Sequence, residues 1–473
     1  MSLTRQVAHN TIYQLVGKVI STFFGLLAIG MMTRYLGTEQ FGWYITVITF
    51  LQFIGILIDF GLIPVTAQMM SEPNFDKQFL FKNLLTYRLV TALIFLGITP
   101  FVAWFFPYPL EVKIAISFTT ISFLCISINQ VITGLFQSRL KMHIQTIAEN
   151  IGRIALVAGL YLVITKGLGF LPIMGIVTLA SMVYTLALLI FTHRETPLGF
   201  AYDKQIWKSI THKMWPITIS IIFNVVYLKG DTLILTVMRS QAEVGMYGAA
   251  YRVIDIIAQM AMMIMGVMLP LLAYSWSRNH REDFRHRYQM SFDSMMLIAI
   301  PTTVGMAILS TKIMRLVAGN NFTDAGNILQ ILSLAVLGVF VGGVFGHVAV
   351  AINRQKQTMW IYISDAIITL IGYLIFIPRY GLSGAAWMTV FSEWYAGLLL
   401  FITIKYYSKE QVQLKTFVKI ALASIAMGSV LFLLQNLHVL TLILIGILVY
   451  GLVLVGIGGI SKKTLKEILT LHG

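Results

Sequence analysis

The sequence predicts an all-α polytopic membrane protein, and three observations carry that prediction. Of the 473 residues, 58% are hydrophobic and only 11% charged, a balance that a water-soluble fold cannot bury and a bilayer demands. The apolar residues fall into about fourteen runs, each near the roughly 20 residues that cross a hydrocarbon core as a helix. The connecting segments are short throughout. Even the largest, 193–213 and 276–288, are too small for a folded extramembrane domain.

In chain order the runs centre on Thr22, Ile54, Leu93, Ser122, Leu156, Leu179, Phe223, Met260, Leu297, Leu337, Thr369, Phe391, Ala426 and Val449. The opening MSLTRQVAHNTIYQ leads into the first run without a small-residue cleavage site, so it reads as an uncleaved span. Lys and Arg outnumber Asp and Glu by 34 to 19, which in a membrane protein points to anionic lipid at one face or an anionic cargo inside. Most of this excess follows topology: with the N-terminus inside, basic residues favour the cytoplasmic loops by about three to one, predicting N-in and C-in. The one cysteine, Cys125, lies in an apolar run and forbids an intrachain disulfide.

The chain also echoes itself after about six spans. FGWY at Phe41–Tyr44 returns as VGMY at Val244–Tyr247, QSRLK at Gln137–Lys141 as INRQK at Ile352–Lys356, and YLVITKGLG from Tyr161 as YLIFIPRYGL from Tyr373. An even number of spans per repeat gives halves of the same direction, related by a pseudo-twofold axis along the membrane normal, with a cleft between them. The expected division is a six-helix lobe over 1–196, a second over 197–410, and two extra helices with a basic tail over 411–473.

Charges inside the apolar runs are costly, at roughly 2.5 kcal/mol or more each, and normally face a protein interior or a wet cavity. Counting residues from the turns near Thr38, Gln241 and Gln355 predicts shared depth for Lys18 with Asp59, Asp231 with Arg252, Lys229 with Asp255, and His347 with Asp365. Glu149 and Arg153 are spaced i, i+4 on one helix face; Glu393 lies mid-span. One reading makes these buried pairs that fix helix packing. The other makes Lys18, Arg88, Arg153, Lys229 and Arg252 a cationic site for phosphate or carboxylate, and Asp59, Asp231, Asp255, Asp365 and Glu393 candidates for proton or sodium binding. For Arg88 and Arg153, snorkelling to the interface is a further alternative, and for His347 a hydrogen-bonded packing role.

No P-loop, His/Cys metal cluster, G-x-S-x-G or DFG-like set is present in the sequence, so no cofactor and no catalytic residue is expected. The segment 71–82 lacks the glycine-and-arginine signature of major-facilitator carriers.

TRYLGTEQFGWYITV at Thr33–Val47, DTLILTVMRSQAEVGMYGAAYRV at Asp231–Val253 and the Leu269–Pro270 pair resemble the polysaccharide transporter (Wzx-type O-antigen flippase) family. Its superfamily also holds MATE multidrug exporters and lipid II flippases. The resemblance implies a MATE-like fold of fourteen spans that moves an undecaprenyl-diphosphate-linked oligosaccharide across the bacterial cytoplasmic membrane by alternating access, without enzymatic chemistry. It places Arg252 and Asp231 at positions where related flippases put a cavity arginine and a nearby acid, and Lys18 near a first-helix position that is often basic. Implied partners are the glycolipid, membrane lipids, and a polysaccharide polymerase and chain-length regulator, with a monomeric carrier and no nucleic acid. The coupling ion, proton or sodium or none, and the sugar stay open. Rival readings are a cation-coupled multidrug exporter, a lipid II type flippase, and a membrane scaffold or glycan polymerase.

Overall fold

A computed structural model describes residues 3–59, 62–71, 76–139 and 141–459. Helices succeed one another with no strand among the described residues: α1 (Leu3–Asp59), α2 (Leu62–Ser71), α3 (Lys77–Trp104), α4 (Leu110–Ser138), α5 (Met142–Thr165), α6 (Phe170–Glu195), α7 (Lys204–Met238), α8 (Gln241–Ser277), α9 (Arg281–Ala318), α10 (Ala325–Ala351), α11 (Gln355–Ser408), α12 (Lys415–Leu433) and α13 (Val439–Gly456). In lipid only a self-satisfied backbone is affordable, which is why the apolar runs are all helical.

Two of these helices are too long for a membrane. The 57 residues of α1 and 54 of α11 would reach about 85 and 80 Å as straight rods, against a hydrocarbon core of ~30 Å. Each is broken at a glycine of positive φ, Gly37 at 68° and Gly381 at 59°, a conformation that side chains with a Cβ resist. Each therefore makes two crossings. Among the described residues eleven helices are long and apolar enough to span; dividing α1 and α11 makes thirteen crossings, and α7, at 35 residues, has the length for a fourteenth.

The chain packs as two units, Met1–Gly245 and Met246–Gly473. In the first, α5 packs on α1 and α6, α4 on α2, α3 and α6, and α7 on α1 and α3. Its core gathers Leu62 and Val65, Leu80, Phe81 and Leu84, and Val131, Ile132 and Leu135, all buried. The segment before α7 is tied to α3. Ala201 N donates to Thr86 Oγ1 at 3.0 Å and Asp203 N to Asn83 Oδ1 at 2.7 Å, while the Asp203 carboxylate caps α7 by accepting from Gln205 N and Ile206 N.

The echoed motifs meet inside this unit. A Cβ on Gly42 would lie 1.7 Å from Gln241 O, and one on Gly245 would lie 2.1 Å from Thr38 O. Thr46 Oγ1 donates to Gln241 Oε1 at 2.6 Å across the same contact. Glycine at both places lets two backbones touch where any side chain would hold them apart.

In the second unit α10 packs on α9 and α11, and α12 on α9 and α13. The last two helices are joined to α9 by polar links as well. Tyr450 OH donates to Leu297 O at 2.9 Å, Lys312 Nζ to Leu437 O at 2.7 Å, and Gln289 exchanges hydrogen bonds with Gln413.

Candidate functional site

In the first unit three of the intramembrane charges converge where α1 runs beside α5. Glu149 and Arg153 lie about 10 and 16 Å along α5 from Met142. On α1, Lys18 Nζ stands 4.0 Å from Glu149 Oε1; Arg153 Nη2 approaches the same oxygen to 3.9 Å, as the i, i+4 spacing predicts. Ser21 Oγ donates to it at 2.6 Å. One carboxylate oxygen thus gathers a hydroxyl and two cations. The cations are the outer members, with side chains 43% and 41% exposed against 22% for Glu149.

Small groups make this register possible. Asn150 Nδ2 donates to Gly17 O at 3.2 Å, and a Cβ on Gly17 would lie 1.7 Å from Thr146 Cγ2, whereas Gly25, beside the Arg153 guanidinium, has room for one. From α6, Tyr184 packs directly on Gly152. The seam therefore carries two positive charges to one negative, in segments long and apolar enough to cross a bilayer.

Arg88 sits differently. It is 1% exposed, and its guanidinium donates to Ser127 O at 3.2 Å and to Gln130 Oε1, tying α3 to α4. On α7, Lys229 is half-buried and Asp231 buried, the latter accepting from the Thr232 hydroxyl at 3.1 Å. The side chain of Asp59 lies outside the described residues.

In the second unit Arg252 Nη1 is 3.7 Å from Asp255 Oδ2, one turn along α8, and both are partly exposed. Asp365 is fully buried on α11. Its Oδ1 accepts from Thr369 at 2.9 Å and from Ser392 at 3.0 Å, while Oδ2 has no hydrogen-bond partner. One turn beyond Thr369, the hydroxyl of Tyr373 joins that of Tyr247 on the Thr389 hydroxyl, in the half of α11 that follows Gly381. Glu393 is nearly buried and its backbone presses on α10 at Gly338. His347 engages the Gly343 carbonyl of its own helix at 2.7 Å, a packing role, and not Asp365.

Sequence reasoning found Glu149 through its spacing to Arg153 but did not count it as a site residue, and it passed over Ser21. An isolated serine in an apolar run carries no signal until the fold brings a carboxylate to it.

The profile described as Polysaccharide biosynthesis protein matches residues 7–276, and the MatE profile matches 216–375. The probable low-salt glycan biosynthesis flippase Agl15 of Haloferax volcanii is 24% identical over 389 residues, 82% of this chain and 81% of that protein. The probable lipid II flippase MurJ of Thermotoga maritima is 27% identical over 205 residues, 41% of this chain and 42% of that one. Among solved structures, lipid II flippase MurJ in an inward closed conformation superposes with a TM-score of 0.77 at 18% identity, covering 93% of this chain and 97% of that one. An inward-facing multidrug resistance MATE transporter gives 0.66 at 13% identity, with 84% and 98% covered. These likenesses carry the fold, a multi-pass transporter bundle. With the first profile spanning more than half of it, the chain belongs to the polysaccharide biosynthesis protein family.

Proposed function

We propose that the chain is a flippase that carries a polyprenyl-diphosphate-linked oligosaccharide, undecaprenyl-linked in a bacterium, across the cytoplasmic membrane by alternating access and without a covalent step. The observation that carries this reading is the α1–α5 seam, where Lys18 and Arg153 outnumber Glu149. Two cations facing hydrocarbon would each cost roughly 2.5 kcal/mol or more, so the seam belongs beside water. Arginine suits a phosphate through its paired donors, and lysine adds a mobile point charge. Lys229 in the first unit and Arg252 in the second are further intramembrane cations. Arg88, held by α4, acts on the framework.

The relatives named as flippases of a glycan pathway and of lipid II support the same class of cargo. An exporter of amphiphilic cations is disfavoured, because a positive seam repels its substrate. Coupling to a cation would fall to the acids, foremost Asp365, whose bare Oδ2 in a buried site calls for a proton or a metal ion; Glu393, Asp231, Asp255 and Asp59 are the remaining candidates. The carrier works as a monomer with both termini inside, and hands its cargo to a polymerase and chain-length regulator.

The test is translocation of a fluorescent polyprenyl-diphosphate oligosaccharide in proteoliposomes, read by quenching from outside. Wild type transfers label between leaflets, and Lys18→Gln with Arg153→Gln lowers the rate at least tenfold with unchanged protein yield. Equal transfer by the double variant would overturn the reading.

A further inference from the structure

The α1–α5 seam has a feature that a simple anion site does not need. Its two cations share one resident carboxylate, and both stand at 3.9–4.0 Å from Glu149 Oε1, beyond the 2.7–2.9 Å of a charge-assisted hydrogen bond. Among the described residues only Ser21 hydrogen-bonds that oxygen, at 2.6 Å. The carboxylate is therefore pinned by a neutral hydroxyl of α1, and the Lys18 and Arg153 donors hold back from it. It compensates the cations through space while leaving their N–H groups to a ligand. It is also the most enclosed of the three, so an incoming anion reaches the cations without passing it.

We infer that Glu149 is the resident counter-ion of the empty carrier, a positioning residue that keeps Lys18 and Arg153 compensated when no cargo is bound and weakens the grip on the diphosphate so that it can leave. The inference rests on the reading of Lys18 and Arg153 as a diphosphate site. Its physical content is a balance between two requirements. Without Glu149 two like charges would be close together in a partly dry seam, and the unloaded carrier would have to carry both, unpaired, through its return. With it, the field met by the cargo falls from two charges to one. Glu149 thus exchanges affinity for turnover, which is useful only if binding stronger in the resting state than in transit slows the cycle.

The experiment compares wild type, Glu149→Gln and Glu149→Asp, purified in nanodiscs, for binding of farnesyl diphosphate and farnesyl monophosphate, and in proteoliposomes for the KM and kcat of flipping. Removing one negative charge within about 4 Å of both cations should tighten the diphosphate about tenfold or more. The monophosphate, with less charge, should gain only about threefold. In transport, Glu149→Gln should lower KM and kcat together. Glu149→Asp, which keeps the charge but withdraws it from the cations, should show a smaller gain of the same sign, and it carries the test should Glu149→Gln fail to fold. A purely structural role predicts the opposite: weaker binding of both ligands by equal factors, or none of the charge scaling. Either result overturns the inference. If wild type binds the diphosphate and Lys18→Gln weakens it while neither Glu149 variant tightens it, the counter-ion role alone falls. If wild type binds no diphosphate, the flippase reading falls and takes this inference with it.

Discussion

Arg88 and Arg153 look alike in the sequence, each a lone arginine in an apolar run, and the fold separates them by what lies opposite. Arg88 meets a backbone carbonyl and Gln130 of α4 in a dry contact, whereas Arg153 meets a seam whose outer side is open. The two should therefore fail differently. Arg88→Ala leaves buried acceptors on α4 without their donor, a loss of about 1–3 kcal/mol for each group stranded, so its thermal midpoint in detergent should drop by several degrees. Arg153→Ala should keep a midpoint close to wild type while flipping falls at least tenfold. Equal midpoints for the two variants would refute this assignment. Depth along a helix was legible from the sequence, and so was the Glu149–Arg153 spacing. Enclosure was not, because it depends on residues distant in the chain, 39 and 42 positions away for Arg88 and 128 for Glu149 and Ser21.

At the scale of elements, the turns were legible and the contacts they make were not. The break expected near Thr38 falls at Gly37, and the repeated YLVITKGLG and YLIFIPRYGL segments each contain a glycine of positive φ, Gly167 and Gly381. The FGWY and VGMY echo was also legible, but not that its two copies would touch each other. A methyl on Gly42 would overlap Gln241 O, so Gly42→Ala must force the start of α8 away from α1. The expected outcome is a protein that inserts normally but loses most of its transport. Cysteines placed at Thr46 and Gln241, whose side chains are hydrogen-bonded, should be bridged readily by a short methanethiosulfonate crosslinker in an otherwise wild-type background and poorly when Gly42→Ala is added. Equal crosslinking in both backgrounds would show that the glycine contact is dispensable.

At the scale of the whole molecule, composition and run length sufficed for a fourteen-span helical bundle, because the bilayer imposes length and self-satisfied backbone on every crossing. Orientation rests on a different physics, the bias of Lys and Arg toward the cytoplasmic side. The turn after α8 and the first two turns of α9 carry Arg278, Arg281, Arg285 and Arg287, with Arg278 and Arg281 stacked on Tyr274 and Trp276 as interfacial anchors would be. The turn after α9, at Gly319–Asp324, is uncharged until Asp324, and the 38 residues of α9 put these two turns on opposite faces. The native Cys125 is buried, so an added cysteine reports alone. With both termini inside, a membrane-impermeant maleimide should label Asn320→Cys on intact cells and Asn279→Cys only after permeabilisation. The reverse pattern would invert the carrier: the Lys18–Arg153 seam would then load from the outer face, and a flippase delivering cargo outward could not be its function.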